Sequence, residues 1–359
     1  GGGFYPPGVN EDAADGDSGG GSRGPTDYTG TNNQEEGVDE LDLVKTNGTH
    51  LFIAQDRAVR ILKSWPAEDT ALLSSVPLDG WARGLFLVGD DTLVVLEDIS
   101  GYVQVDERWY SALRARVIDV ADPTAPSITH TIDLSGWLTD ARMIDGQIYL
   151  IANQYLDLPY GIWEAAWQAS SQLLWPTDYS DAAAWDAARA RNRILLRPVM
   201  DNLLAQADLD AILPGYRLDG AEDFTPLYAC TDLYAPYQST PLAMLSVAQL
   251  DPASGNLQAT GLMSDGWTVY ASPENLYVAQ TSQWWWGWSG SEGKTHIHRF
   301  HLGGAQPDYT GSGAVTGWIY SQFGMSEHEG DLRVVTTDFG WWGGVAVDVG
   351  VSDGGEVPP

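Results

Sequence analysis

The dipeptide Gly-Trp recurs along the chain, and this repetition constrains the fold more than any other feature of the sequence. It occurs at Gly80-Trp81, Gly136-Trp137, Gly266-Trp267 and Gly317-Trp318. A short apolar run follows each copy, usually just behind a tight-turn sequence such as Asp145-Gly146, and each run is predicted to be a strand. The runs, with an earlier one that no Gly-Trp precedes, are Leu51–Ala54, Leu93–Leu96, Ile148–Ile151, Leu276–Ala279 and Leu332–Val335. Repetition in a constant order indicates a fold built from similar units.

Each unit continues with a third and a fourth predicted strand. The third strands include Val59–Leu62, Arg116–Val120 and His296–Phe300, and a fourth runs from Ile128 to Leu134. Four short antiparallel strands in units of about 40–55 residues are typical of β-propeller blades, which bury both faces against neighbouring blades. The sequence therefore predicts an all-β propeller with four blades and the start of a fifth.

One interval is much longer than the others and predicts an insertion in blade three. The excess lies at about residues 157–240, between the strand at Ile148 and its counterpart at Leu276. Ser180–Leu196, with Asp181 near its start, and Val199–Ala207 are predicted to be helices, with Pro198 between them. The blade pattern resumes in phase at Ala243, which favours a helical insertion over a separate domain.

The ends of the chain have different characters. Residues 1–30 are rich in Gly, Asp and Ser and are predicted to be a flexible tether, so the incomplete propeller occupies residues 31–359. Unpaired strand edges are aggregation hazards that proteins cover or pair. We therefore expect a continuation of the polypeptide, a cleaved fragment that stays bound, or another subunit to supply the missing blades.

The charge of the chain excludes several classes of partner. It has 49 acidic and 18 basic residues, a formal net charge of -31, which disfavours nucleic acid and anionic lipid. No apolar run approaches the roughly 18 residues of a transmembrane helix. The single cysteine, Cys230, excludes an internal disulfide framework. We expect a secreted or cell-surface protein, the latter including a lipoprotein.

Several blocks of the sequence are specific enough to indicate a family: Thr31–Glu40, Asp42–Gly48, Trp65–Glu68, Cys230–Tyr234, Val269–Ser272, Gln322–Ser326 and Leu332–Val334. They resemble a family of secreted bacterial and archaeal β-propeller proteins that are distantly related to WD-repeat proteins. The resemblance covers about residues 31–350 and implies the fold. It implies no activity, because the family has no settled one, and its members look longer than this chain.

Aromatic residues cluster after the second strand of the later units. Equivalent loops of successive blades emerge on one face of a propeller, so these residues are candidates for a binding rim. Flat aromatic surfaces suit sugar rings, proteins and cations, although the same side chains are equally suited to packing on the blades or on the insertion. The candidates are Trp109, Tyr110, Tyr160, Trp163, Trp284, Trp285, Trp286, Trp288, Trp341 and Trp342.

Two groups of residues are candidate metal ligands. Carboxylates crowd the start of blade one, and such hard oxygen ligands suit Ca²⁺, although they also cap turns. His296 and His298 alternate along a strand and share a face, where a transition metal would need a further ligand, for which His328 is a candidate. Solvated polar residues on a strand are the alternative. The carboxylates are Glu36, Asp39, Glu40 and Asp42.

No catalytic signature stands out in this sequence, which lacks a Gly-x-Ser-x-Gly elbow and a His-Glu-x-x-His helix. The leading hypothesis is an extracellular binding or scaffold protein that presents the aromatic rim to a protein or polysaccharide and is stabilised by calcium. The alternatives are a secreted hydrolase or metal-dependent oxidoreductase with its site at the propeller channel, and a structural subunit of a surface assembly.

Overall fold

The computed structural model describes residues 33–105, 108–156, 164, 168, 171–178, 181–206, 212–235, 243–281 and 294–337, with side chains except at residues 100–111, 182 and 281. These residues form mainly antiparallel sheets that follow one another along the chain. The mostly-β architecture that the repeat predicts is confirmed.

The first two sheets follow strand β1 (Val38–Glu40). Sheet 1 contains, in spatial order, β2 (Val44–Thr46), β3 (His50–Gln55), β4 (Ala58–Lys63) and β5 (Ala71–Pro77). Sheet 2 contains, in spatial order from one edge, β6 (Trp81–Val88), β7 (Thr92–Val105), β8 (Arg108–Asp119) and β9 (Ser127–Ser135). Chain order and spatial order agree in both, as four-stranded meanders require.

Sheet 3 is interrupted along the chain. It begins with β10 (Trp137–Ile144) and β11 (Gln147–Tyr155). The interruption contains helix α1 (Ala182–Leu204), β12 (Gly215–Leu218), β13 (Thr225–Pro226) and β14 (Leu233–Tyr234). Sheet 3 then resumes with β15 (Ala243–Leu250) and β16 (Leu257–Leu262).

Sheets 4 and 5 complete the described part of the chain. Sheet 4 contains β17 (Thr268–Ala271), β18 (Asn275–Thr281), β19 (Lys294–His301) and β20 (Asp308–Thr316). In sheet 5 the described strands are β21 (Met325–His328) and β22 (Asp331–Val334).

The sheets pack face to face through four apolar clusters. Between sheets 1 and 2 lie Phe52, Val59, Ile61, Leu85, Leu93, Val95 and Ile118. Between sheets 2 and 3 lie Phe86, Val94, Leu96, Leu113, Leu138, Ile148, Leu150 and Met244. Between sheets 3 and 4 lie Tyr149, Ile151, Leu245, Val247, Val269, Leu276, Val278 and Phe300. On the other face of sheet 4, Tyr270 and Tyr277 pack with Ile319 and with Met325 of sheet 5. Sheets 2, 3 and 4 thus bury both faces, as predicted for blades.

The second face of sheet 1 is less well covered. Val44 lies opposite Ile53, and Leu62 lies opposite both Leu51 and Leu72, so these five side chains share the face turned away from sheet 2. Val44 is 42% exposed and Leu72 is 59% exposed, while the other three are half-buried. This is an apolar sheet face without full cover in the described part of the chain.

The insertion is attached to two sheets. Strand β12 pairs with β9 and extends sheet 2, whereas β14 pairs in parallel with β16 and extends sheet 3. Helix α1 begins at Asp181, whose Oδ1 accepts a hydrogen bond from the Ala184 amide (3.0 Å). No helix in the described ranges is long and apolar enough to span a bilayer.

The predicted division into two helices at Pro198 is wrong, because α1 runs through that residue. A proline in a helix removes one backbone hydrogen bond and costs about 3 kcal/mol, so the helix needs support on either side. Met200, Leu203 and Leu204 pack against the cluster between sheets 2 and 3 and hold the C-terminal part.

The Gly-Trp repeat has a geometric cause in the structure. Trp137 begins β10 and pairs with Asn153 near the end of β11, just as Trp81 pairs with Asp98. Gly136 has a φ of +103°, and a Cβ there would lie 2.5 Å from the Asn153 carbonyl oxygen. Only glycine fits where the chain enters the first strand against the backbone of the second.

Replacing Gly136 with Ala should therefore lower the free energy of unfolding by about 2 kcal/mol or more, since it adds a positive-φ penalty and a clash. Urea denaturation measures the change. The matched control is Gly313→Ala on β20, where no atom lies within 4 Å of the added Cβ. We expect a change within about 0.5 kcal/mol for the control. Equal losses in the two variants would contradict this account of the repeat.

Candidate functional site

A charged recess of about 580 Å³ opens on the side of sheet 2 that faces sheet 1. Its side chains come from the β5–β6 connection, from β8 and β9, and from the insertion. They are Asp79, Arg114, Arg116, Ile128, Thr129, Thr131, Asp133, Arg217 and Asp219, with Gly220 at the edge. Thr129 is the extra residue of a β-bulge, since Val117 pairs with His130 and Ile118 with Ile128. Bulges are frequent beside functional sites, where they redirect side chains.

Acidic and basic side chains alternate along the recess. Glu97 accepts a hydrogen bond from Arg116 Nε (2.5 Å), and Asp79 accepts from both Arg116 Nη2 (2.5 Å) and Arg114 Nη1 (2.6 Å). Asp133 accepts two bonds from Arg114 (2.5 and 2.9 Å) and one from Arg217 Nε (2.8 Å). The ladder therefore joins sheet 2 to the linker from sheet 1 and to the insertion.

Burial divides this ladder into fixed and exposed members. The side chains of Glu97 and Asp133 are 0% and 4% exposed, so their partners hold them in place. Burial opposes ionisation of Asp133, but hydrogen bonds from Arg114 and Arg217 outweigh it and hold the pKa of Asp133 below its usual value. The hydrogen bond to Asp133 likewise raises the pKa of Arg114. Because arginine stays protonated, this site is suited to binding anions rather than to proton transfer.

Equivalent positions recur in the other sheets. The residues that directly follow the apolar runs of the second strands pair with equivalent residues of the third strands: Glu97 with Arg114, Ala152 with Ser246, and Gln280 with His296. Arg114, Ser246 and His296 are therefore equivalent, and each faces the preceding sheet.

The insertion fills the equivalent pocket between sheets 2 and 3. The Tyr228 ring lies in that cluster, and its hydroxyl is 3.3 Å from Ser246 Oγ. A Cβ on Gly261, which pairs with Ser246, would overlap the ring, so glycine makes room for it. Burial raises the pKa of Tyr228 far above its usual value, which keeps the phenol neutral.

The two candidate histidines occupy the equivalent pocket between sheets 3 and 4. His298 is 2% exposed, its Nε2 lies 3.3 Å from Ser264 Oγ, and its buried Nδ1 has no hydrogen-bond partner. Ser264 also donates to Gln280 Oε1 (3.2 Å). Burial, reinforced by the charge of His296, lowers the pKa of His298 to about 4. Burial raises the pKa of nearby Asp265. His298 is therefore neutral at physiological pH.

The structure does not bring the candidate calcium carboxylates together. Asp39 pairs with Lys45 Nζ (2.7 Å), and Glu40 accepts a hydrogen bond from Gln322 Nε2 (3.0 Å). Asp42 accepts from the adjacent Leu43 amide, while Glu36 is exposed. Among the described side chains, no three of His, Cys, Asp and Glu are grouped to hold a metal ion.

Most of the candidate aromatic rim lies outside the described residues. Trp109 and Tyr110 are in β8, where the backbone pairs them with Gln104 and Val103. The candidates outside the described ranges are Tyr160, Trp163, Trp284, Trp285, Trp286, Trp288, Trp341 and Trp342. At the end of β11, the exposed ring of Tyr155 lies 4.9 Å from that of Trp137.

Sequence reasoning missed the charged recess, although the repeat contains a signal for it. Asp-Gly-Trp occurs at 79–81 and again at 265–267, which gives Asp79 and Asp265 equivalent places. The residue that directly follows the apolar run of the second strand is Gln or Glu at Gln55, Glu97 and Gln280. A comparison of the units position by position would have placed polar residues between successive sheets.

The neutral state of His298 makes stability dependent on pH. Its pKa is about 4 in the folded protein against 6.5 as the ordinary value, so the unfolded chain binds the proton first. The free energy of unfolding therefore has its full value, as far as His298 is concerned, above about pH 6.5. It falls by about 3 kcal/mol in total as the pH decreases towards 4. Urea unfolding between pH 7.5 and 4.5 should show the loss in the native protein and a smaller one in His298→Gln. The control is the exposed His328→Gln, which should keep the native dependence. Asp265 is present in all three proteins, so its opposite contribution cancels. Identical pH profiles for all three would refute this role.

Comparison with known proteins agrees with this architecture. A family model described as the β-propeller domain matches residues 28–353. An uncharacterized protein of Methanocaldococcus jannaschii is 28% identical over 132 residues, which are 36% of this chain and 18% of that protein. The alignment thus spans less than a fifth of that relative's length. Since the family model covers nearly the whole chain, the protein belongs to the β-propeller domain family.

Proposed function

We propose that this chain is a binding or scaffold propeller that works outside the cell or at its surface and presents an aromatic-rich rim to a protein or polysaccharide. The observation that carries the proposal is the shared topology of sheets 2, 3 and 4. In each of these sheets, the four strands of the repeat unit are adjacent in the same order. The candidate aromatic residues follow the second strand along the sequence.

This topology supports a common location for the aromatic segments. The connections between second and third strands are residues 106–107, 156–242 and 282–293, and Trp109 and Tyr110 of β8 follow the first of them directly. In meanders of the same order, these connections leave the sheets at equivalent ends. The exposed Tyr155 is the last residue of β11, immediately before the second connection, and contacts Trp137 at the start of β10. Side chains on different connections can therefore contribute to one surface.

Such a surface suits an uncharged or weakly charged ligand. Aromatic rings bury a large area at low entropic cost and stack on the apolar faces of sugars or on partner side chains. The net charge of -31 would repel a polyanion at low salt. We therefore favour neutral polysaccharides, or proteins with apolar or basic contact surfaces.

Replacing Trp284, Trp285 and Trp286 together with Ala should weaken partner binding about thirtyfold or more, because aromatic anchors commonly contribute over 2 kcal/mol. A glycan array and titration against the strongest glycan measure the effect. The matched control is Trp175→Ala, an exposed tryptophan of the insertion (55%). The control should bind like the native protein. Unchanged binding by the triple variant would refute the rim.

We also propose that calcium stabilises the fold, since bound cations relieve the self-repulsion of a chain with net charge -31. The carboxylates of Glu36, Asp39, Glu40 and Asp42 are the candidate ligands, and binding would require Asp39 to leave Lys45. A ligand at 100 times its dissociation constant adds about 2.7 kcal/mol, so melting with millimolar Ca²⁺ should occur several degrees higher than with EDTA. NaCl at equal ionic strength is the control for screening. Equal melting temperatures in Ca²⁺ and NaCl would exclude specific calcium binding.

A further inference from the structure

Asp79 is the one exposed carboxylate between two buried arginines of the recess. Its side chain is 68% exposed, whereas those of Arg114 and Arg116 are 15% and 9% exposed. A single oxygen, Oδ2, accepts from both guanidinium groups. Asp79 is solvated, and each arginine has a second carboxylate partner, so Asp79 can leave without creating an unpaired buried charge.

The arginines would remain in place after Asp79 moved away. Arg116 stays bound to the fully buried Glu97, whose other oxygen, Oε2, accepts from the Gly80 amide (2.6 Å). Arg114 stays bound to Asp133 through two hydrogen bonds. Each arginine thus keeps a buried counter-ion, and their free Nη groups point to one anionic position. Such pre-organisation lowers the cost of binding.

The repeat supplies an internal model for the occupant. At the equivalent place between sheets 2 and 3, a side chain from the insertion, Tyr228, brings a polar hydroxyl to Ser246. In the recess, Arg114 takes the place of Ser246 and Asp133 takes that of Gly261. The change to arginine replaces a neutral partner with a cationic one. The Asp133 side chain in place of glycine leaves no room for a ring as deep as that of Tyr228.

We propose that the recess binds the carboxylate of a small hydroxylated acid, such as a uronic acid, at the position that Asp79 occupies by default. Arg114 and Arg116 bind the carboxylate. Asp219, which accepts from the Thr131 amide (2.8 Å) and is 48% exposed, accepts hydrogen bonds from ligand hydroxyls. The overall charge of -31 disfavours a polyanion, so a monoanion is the preferred class. This site is separate from the aromatic rim.

Removal of the resident carboxylate tests the proposal. Asp79→Ala should bind glucuronate about tenfold more tightly than the native protein at low ionic strength, because the ligand no longer competes with Asp79. Asp79→Glu should bind like the native protein. The matched control is Asp98→Ala, which removes another exposed carboxylate paired with an arginine, Arg83 (3.0 Å), on the same sheet. Isothermal titration measures binding, and thermal melting verifies that each variant is folded.

Three probes define the chemistry. Glucuronate should bind saturably to Asp79→Ala, glucose should not, and sulfate should compete weakly. No saturable binding of glucuronate to folded Asp79→Ala would overturn the proposal. An equal gain in Asp98→Ala would overturn it as well, since the effect would then be one of net charge. Equal binding of glucose, or stronger binding of sulfate, would overturn the assignment to a carboxylate. None of these results depends on Trp284, Trp285 or Trp286. The proposed binding of a partner by the aromatic rim is therefore tested separately from the proposed carboxylate site.

Discussion

The burial of both faces of each central sheet is the constraint on which this structure depends. Within Leu93–Leu96, alternate residues belong to different clusters: Leu93 and Val95 face sheet 1, and Val94 and Leu96 face sheet 3. Ile148–Ile151 divides in the same way between sheets 2 and 4. A sheet with one solvated face would alternate apolar and polar residues, whereas these runs are continuously apolar. Each sheet therefore needs two neighbours, which is why the units form a series. Val44 and Leu72 leave one face of sheet 1 only partly covered. That further blades cover this face remains a prediction.

Polar chemistry is confined to the ends of these apolar interfaces, where the repeat keeps the geometry and changes the residue. Arg114, Ser246 and His296 occupy one equivalent position in three sheets. The first is paired with carboxylates, the second contacts a tyrosine hydroxyl, and the third lies two residues before the buried, neutral His298. The same backbone thus holds a cationic recess, a plug from the insertion and an acid-sensitive histidine. Function in such a scaffold follows from these substitutions rather than from the fold itself.

The sequence predicted the parts of the fold that depend on local patterns. The strands after each Gly-Trp and the helix start at Asp181 follow from apolar runs, turns and capping residues close together in sequence. Local patterns did not predict that α1 continues through Pro198, because the helix is stabilised there by packing against sheets that are distant in sequence. The recess could be predicted only in part from the repeat, which marks its polar positions: Asp79, Arg116 and Arg217 are far apart in the chain, and with 49 acidic residues no carboxylate stood out. Pairing between strands decides which charges meet, and a single sequence does not specify it.

The acidic segment before sheet 1 illustrates how tertiary contacts override a local pattern. Its closely spaced carboxylates suggest a cation-binding loop. The chain here instead runs across several sheets, and its polar groups bind separate partners. Val38 pairs with Ile144 in sheet 3, Glu35 accepts from the Tyr270 hydroxyl in sheet 4 (2.7 Å), and Gln34 donates to the Met325 carbonyl in sheet 5 (2.9 Å). The last contact joins residues 291 positions apart. Contacts of such separation do not follow from a local pattern, because only the packing of the sheets brings the partners together. The segment therefore ties three sheets to one another, and its charges are placed by the partners that it contacts there.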